Sequence, residues 1–361
     1  MIRFALTLLS LLFLAQPAWA KENEFESFGA FLERFRIESG TPALSAVIVK
    51  DEKIAWEGYF GTYDDEGELP TRTETTYKIA SVTKPIVATA LLSEMAHGEL
   101  TLDLPMAADK GWKDLCEFFT TKTAISFMAG GNDRLGNAIA PMQCEKPTLL
   151  SDMLDMRTNS DAFVYNPIAY ARIGRAIAQS GGRPLNEIVR ERVIDYSLAL
   201  DYDVALGWRD RYGGDALRFL AEPHHVVDGK AVKQPLPDDD FRAAAGIIAS
   251  PKAIAEIDIF YDEGRILLPR GRRQSLIDRS IGPLGDYRDG WFLEDWNGTR
   301  LMWHSGWNEK AYSSLYLKVP EKRLTLIIMA NTEAIWWGNS VVKAEVVQSP
   351  IAAKFLETFA K

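Results

Sequence analysis

Ser81 and Lys84 stand three residues apart at the head of an apolar run from Ile86 to Met95. On a helix this spacing puts the hydroxyl and the amine on one face, about a turn apart. A serine hydroxyl is a weak nucleophile at its free pKa and needs an adjacent base, and a lysine held where its charge is disfavoured can act as one. The same residues also suit an N-cap serine followed by a solvated lysine, so the spacing alone does not establish a site. Pro85 falls in the first turn, where a missing N–H costs least, and Gly98 after His97 offers the left-handed residue that ends a helix. The helix is thus expected to begin close to Ser81, with its dipole favouring negative charge developing at that hydroxyl.

The compartment is legible in the first residues. Met1-Ile2-Arg3, the apolar stretch Phe4 to Ala15 and Ala18-Trp19-Ala20 precede the polar Lys21-Glu22-Asn23-Glu24. A charged start, an apolar segment too short to span a bilayer and a small-x-small end are the pattern of a secretory signal peptide, 1–20, cleaved after Ala20. No cysteine follows that site to carry a lipid, and no later run has the length of a membrane helix. The expectation is a secreted or periplasmic chain without stable membrane insertion.

Loss of Arg3 with the signal takes the formal charge from −9 to −10. Scattered acidic charge argues against nucleic acid as a partner. The basic cluster Arg270 to Arg273 reads as a solvated turn. Cys116 and Cys144 are an even pair closing a short loop, expected to bond in an oxidising compartment, with two buried thiols as the alternative. His97, His224, His225 and His304 show no ligand spacing, and no C-x-x-C occurs, so neither a metal nor another cofactor is expected.

The elements that must position Ser81 and Lys84 follow from periodicity. Phe25, Phe28, Phe31, Leu32 and Phe35 give a helix over Glu24 to Glu38. Ala43 to Val49 and Lys53 to Tyr59 form a hairpin about Lys50-Asp51-Glu52. From Pro105 to Pro147 the pattern is irregular, a long loop tied by the cysteines. Leu149 to Met156, Tyr170 to Ser180, Pro184 to Asp195 and Pro251 to Tyr261 read as helices. Trp291 to Leu293, Arg300 to His304, Ser313 to Val319 and Leu324 to Ala330 read as an antiparallel meander, and Val341 to Ala360 as a closing helix. Strands at both ends and helices between them imply an α/β (α+β) fold: an antiparallel sheet from both chain ends, flanked by terminal helices, with a mainly helical region inserted. The expected division is 21–80 plus 265–361 for the sheet and 81–264 for the helical part.

Taken together, the residues resemble the serine hydrolases that include class C β-lactamases, D-Ala-D-Ala carboxypeptidases and related esterases. The resemblance runs through Thr76 to Pro85, the Gly98-Glu99-Leu100-Thr101-Leu102-Asp103 after the helix, and Phe163-Val164-Tyr165-Asn166-Pro167. It continues in Trp303-His304-Ser305-Gly306-Trp307, Ser313 to Pro320 and Met329-Ala330-Asn331. It implies a β-lactamase/transpeptidase-like fold with the active site between its two parts. By this likeness Ser81 is the nucleophile, Lys84 accepts or relays its proton, and Tyr165 helps move the proton to the leaving group. His304, Ser305 and Gly306 match the strand motif that binds substrate, and Trp307 follows it. The backbone N–H groups of Ser81 and Trp307 correspond to the oxyanion hole, and among the tryptophans only Trp307 is placed to line the cleft. The choice between Lys84 and Tyr165 as base stays open.

Two departures bear on substrate. Pro167 stands where the Tyr-x-Asn motif carries an amide, which argues against an efficient β-lactamase, and Asn166 is expected to point elsewhere. His304 replaces a lysine, giving a weaker, pH-dependent attraction for a substrate carboxylate. The expected function is an exported serine hydrolase forming a Ser81 acyl-enzyme on an ester or amide of a small molecule or short peptide, as a carboxylesterase or D-amino acid peptidase before a β-lactamase. The other class is a catalytically silent domain binding cell-wall peptides on the same scaffold, for which the Ser81/Lys84 pair has no use. Nothing in the sequence points to a protein partner.

Overall fold

The computed structural model describes residues 18–121, 138–158, 163–197, 204–237, 240–266, 270–281, 286–338 and 345–361. Most of the expected signal segment lies outside them. Among the described residues a seven-stranded antiparallel sheet runs in the order β2-β1-β12-β11-β10-β9-β8. Its strands are β1 (Ala43–Lys50), β2 (Lys53–Gly61), β8 (Asp286–Arg288), β9 (Trp291–Trp296), β10 (Thr299–Asn308), β11 (Tyr312–Val319) and β12 (Leu324–Ala330). The N-terminal hairpin joins the C-terminal meander through β1 and β12, paired from Leu44↔Ala330 to Lys50↔Leu324. β12 and β11 are buried along their whole length, and β12 reads as a nearly continuous apolar run.

Strand alternation assigns the two faces. Trp56 on β2 is opposite Ile48, and its ring meets Phe28 of helix α1 (Ala18–Glu38) at 6.0 Å. Phe28 also packs on Phe355 of the closing helix, Pro350–Phe359. The other face carries Tyr316, whose hydroxyl donates to Asp258 at 2.5 Å on the helix Pro251–Asp262. That helix packs on β1 and β12, although it lies within the 81–264 stretch. Lys318, buried beside it, bonds to Asp258 and to Asp262 at 2.9 Å.

The middle of the chain is less purely helical than its sequence suggests. Alongside α2 (Thr83–Ala96), α3 (Trp112–Phe118), α4 (Leu150–Leu154), α5 (Pro167–Tyr170), α6 (Ile173–Gln179) and α7 (Leu185–Val189) it holds a small sheet, β3-β7-β4, and the hairpin β5-β6. Their strands are β3 (Tyr77–Lys78), β4 (Val204–Leu206), β5 (His224–Val227), β6 (Lys230–Lys233) and β7 (Ile247–Ala249). The helix Pro251–Asp262 is thus α8, Arg270–Asp278 is α9 and Pro350–Phe359 is α10. α9 replaces the solvated turn expected for the arginine cluster: Arg272 Nε donates to Asp289 at 2.9 Å and Arg273 to the Tyr261 carbonyl at 3.0 Å. α10 is shorter than the run from Val341 suggests because Ser349 caps it, its hydroxyl accepting the Ala352 N–H, and Pro350 occupies the first turn. No helix among the described residues is long and apolar enough to cross a membrane.

A disulfide joins Cys116 of α3 to Cys144, 28 residues apart. By the loop-closure argument, replacing both with serine is expected to cost about 3.5 kcal/mol. Urea unfolding of the double variant beside the oxidised wild type measures this, and coincident midpoints would contradict it.

Candidate active site

Ser81 sits in a 3-10 turn, Ala80–Val82, that runs directly into α2. Strands fix this turn from both sides. The Ile79 N–H donates to the Ile247 carbonyl of β7 at 3.0 Å, and the Ile79 carbonyl accepts from Val82 N–H at 3.1 Å and from the Ser314 hydroxyl of β11 at 2.8 Å. The Ile247 N–H in turn donates to the Thr83 hydroxyl at 3.3 Å. Ala80 adopts φ 47°, a left-handed conformation that costs a non-glycine residue about 1 kcal/mol or more and tips Ser81 out of the extended strand. Ser81 is not a side-chain cap; among the turn and its neighbours it alone is part-exposed, in a run that is otherwise buried.

Lys84 lies one turn along, fully buried, with Nζ 2.7 Å from Ser81 Oγ and 2.9 Å from the Ala244 carbonyl. Burial holds its pKa well below that of an ordinary lysine. A neutral amine donates to Ala244 and turns its lone pair to the Ser81 O–H, whereas an ammonium can only donate to both. The walls are aromatic: Nζ is 5.0 Å from the Tyr165 ring centre and 5.8 Å from that of Tyr170. Burial pushes the Tyr165 pKa above the ordinary phenol value, and the nearby Ser81 side chain pulls it back. Ser81 and Lys84 from one motif and Tyr165 from another are thus brought together.

His304 is near this group but is not the half-titrated side chain that its sequence position suggests. It is buried, and its pKa lies well below the usual histidine value, first through burial and then through the nearby Lys84 charge. Nδ1 is 2.7 Å from the Ser305 carbonyl, so it carries the proton, and Nε2 accepts from the Tyr287 hydroxyl at 3.1 Å. Tyr287, Tyr165 and Phe292 surround the imidazole, with ring centres 5.1–5.8 Å away.

Along β10 the side chains alternate, and Gly306 shares the His304 face. A Cβ on Gly306 would lie 2.2 Å from the Ile79 carbonyl oxygen, so only glycine lets the strand reach the Ser81 turn. Ser305 and Trp307 occupy the opposite face. The Trp307 ring, expected to line the cleft, instead donates Nε1–H to Glu333 at 2.6 Å and packs on Trp336 at 5.1 Å. Asn166 is the buried N-cap of α5, its Oδ1 accepting the Ala169 N–H at 3.0 Å, while Pro167 is that helix's first residue. This agrees with the expectation that Asn166 points elsewhere.

The profile of the beta-lactamase family matches residues 26–138 and 139–335. The chain belongs to the beta-lactamase family. In sequence it is 43% identical over 61 residues to esterase EstB of Burkholderia gladioli, 17% of this chain and 16% of that one. The chain spans no more than a fifth of the length of the relatives it matches in this way. In structure it is similar to the D-amino acid amidase of Ochrobactrum anthropi SV3, with TM-score 0.65 and 16% identity over 94% of this chain and 99% of that one. It is similar also to a class C beta lactamase from Rhodobacter sphaeroides, with TM-score 0.64 and 12% identity over 93% and 99%. The family and the α/β architecture expected from the three motifs are both borne out.

This beta-lactamase-family chain holds α2 from behind with groups that the motifs did not reveal. The Tyr170 hydroxyl lies 3.5 Å from the Lys84 carbonyl, and Gly290, at φ 83°, packs so closely on the same carbonyl that a Cβ would lie 2.7 Å from its oxygen. Gly290 donates to the Leu154 carbonyl at 3.2 Å and Asp289 N–H to Asp155 at 3.1 Å. No spacing marks Tyr170, Tyr287, Ala244 or Asp155, because each meets the site only through tertiary packing.

Burial, then the Asp289 carboxylate, pushes Asp155 up to about 6, against the Asp289 N–H, Arg288 and Arg157. A raised carboxyl pKa means the folded state holds its proton longer than the unfolded chain, so this group's contribution is full below pH 4 and lost as pH rises through about 6. Asp155→Asn, which still accepts the Asp289 N–H, is expected to match wild type near pH 4 and exceed it by ~1–2 kcal/mol at pH 7.5. Denaturant midpoints at the two pH values check this; equal gaps at both would refute it.

Proposed function

We propose that the chain is an exported serine hydrolase that forms an acyl-enzyme on Ser81, with carboxylic esters or D-amino acid amides and peptides preferred to β-lactams. The observation that carries this is the Lys84 amine, buried and 2.7 Å from the Ser81 hydroxyl. Ser81 Oγ bonds to the substrate carbonyl carbon while its proton passes to Lys84. The Ser81 and Trp307 backbone N–H groups stabilise the oxyanion, worth about 3 kcal/mol each. The bond to the leaving oxygen or nitrogen breaks as that atom takes a proton, relayed through Tyr165, whose raised pKa keeps the phenol a donor. Water then attacks the acyl carbon, gives its proton to the base, and the acid leaves as Ser81 Oγ is reprotonated. These pKa directions favour Lys84 over Tyr165 as the base.

The preference among substrates is supported by the apolar Pro167 and Ile168, which stand beside the site in place of an amide. Export is supported by the 1–20 segment and the disulfide. Intact-mass measurement after treatment with a fluorophosphonate is expected to show one adduct, on Ser81; a folded protein without it would end the proposal. Acylation rates compared among p-nitrophenyl butyrate, a D-Ala-D-Ala peptide and penicillin test the ranking, which a strong preference for penicillin would overturn.

A further inference from the structure

A hollow of about 320 Å³ lies between Pro167-Ile168, which follow Tyr165 in the chain, and Ala244-Ala245, whose first carbonyl accepts from Lys84. A larger groove of about 1190 Å³ continues from it across α6 and α7. The two share Ala171, Arg175, Asp240 and Arg242, so these residues mark the junction. The groove is lined by charge, and much of it is paired, although Glu187 and Arg211, away from the junction, have no ion pair among the described residues. Arg183 is held by Glu94 at 3.3 Å and by Glu191, Arg190 by Asp210 at 2.5 Å, and Arg209 by Asp240 at 3.1 Å. Arg172, at the rim of the smaller hollow, is held by Asp109.

Arg175 and Arg242 differ from these neighbours. Both are exposed, and neither side chain has an ion pair among the described residues. In a chain of net charge −9, these two guanidinium groups stand at the junction of the two hollows without an ion pair among the described residues. Three carboxylates of the groove and its rim are engaged with other arginines: Asp240 with Arg209, Asp210 with Arg190 and Asp109 with Arg172. His304, buried and neutral, cannot supply a cation to substrate from the opposite wall.

We propose that Arg175 and Arg242 form an anion-binding subsite, and that the substrate is an extended ester or amide whose carboxylate lies at this junction. The proposal rests on Ser81 being the nucleophile. The planar guanidinium fork matches a carboxylate with two parallel hydrogen bonds, and at a groove wall it acts as a specificity determinant without touching the reacting atoms.

The test compares kcat/KM for p-nitrophenyl hydrogen adipate with p-nitrophenyl hexanoate, equal in acyl length and differing in a terminal carboxylate. A second pair, 3-carboxyphenyl hexanoate with phenyl hexanoate, puts the charge on the leaving group. Wild type is expected to prefer the charged member of one pair by about tenfold or more, a bidentate pair contributing at least 1.4 kcal/mol, and the preference should fall in high salt. R175Q/R242Q should bring the two rates within about twofold, and R175K/R242K should restore part of the gap, which a merely misfolded variant would not do. Equal rates for both pairs in wild type, or a preference that survives R175Q/R242Q, would overturn the subsite while leaving Ser81 acylation standing. Failure of every ester to label Ser81 would remove both readings.

Discussion

Lys84→Met is expected to lower kcat/KM by about 10³-fold or more while leaving the protein at least as stable as wild type. The side chain is fully buried, and among the described residues its polar contacts are Ser81 Oγ and the Ala244 carbonyl. Methionine fills a similar volume and removes the cost of burying an amine, which offsets the lost bond to Ala244. A base is lost and no packing is, so activity and stability should separate, as they do where a site is kept at the expense of fold stability. In the wild type, activity should climb with pH as Lys84 gives up its proton. Because burial depresses that pKa, the climb should be complete well below the pH at which an ordinary lysine titrates. Steady-state rates across pH, with thermal melts of both proteins, measure the pair of effects. A variant that keeps a tenth of the activity, or loses several degrees of stability, would show that Lys84 is chiefly structural.

Gly306→Ala should damage both acylation and stability. The added carbon would lie 2.2 Å from both the Ile79 carbonyl oxygen and the Ser314 hydroxyl, the two atoms whose 2.8 Å bond fixes the nucleophile's turn. One or both must move, at a cost of about 3 kcal/mol, and a displacement of the turn of order 1 Å costs about 10²-fold in acylation. Gly298→Ala is the matched control. It meets nothing within 4 Å and carries only the strain of its positive φ, about 1 kcal/mol, with acylation unaffected. Burst kinetics with an activated ester and denaturant midpoints separate the two variants; similar losses in both would mean that backbone strain, not contact with the Ser81 turn, is what Gly306 relieves.

The sheet was readable because its strands are long and apolar or alternating, from Ala43 to Val49 and from Ser313 to Ala330. β3, β4 and β7 were not, since strands of two or three residues leave no period to detect. The β5-β6 hairpin did leave a signal, Asp228-Gly229 between two β-rich runs, and could have been found. Ser81, Lys84 and Tyr165 were legible because motif spacing survives without the fold. The neutral state of His304 was not, for it depends on Tyr287, Tyr165 and Phe292 closing around it from three separate strands and loops. Trp307 was misplaced for a simpler reason: β10 extends through it, and the period of two that turns Gly306 to the nucleophile turns the indole away.

The threading of this sheet also fixes when the protein becomes reactive. The turn that presents Ser81 leans on Gly306 and Ser314, and β1 lies between its hairpin partner β2 and β12, more than 270 residues later in the chain. If Ser81 acts as proposed, a growing polypeptide carries it through most of synthesis without the strands that hold its turn. Such long-range closure folds slowly, and the same delay would keep the proposed acylating group idle until the molecule is whole.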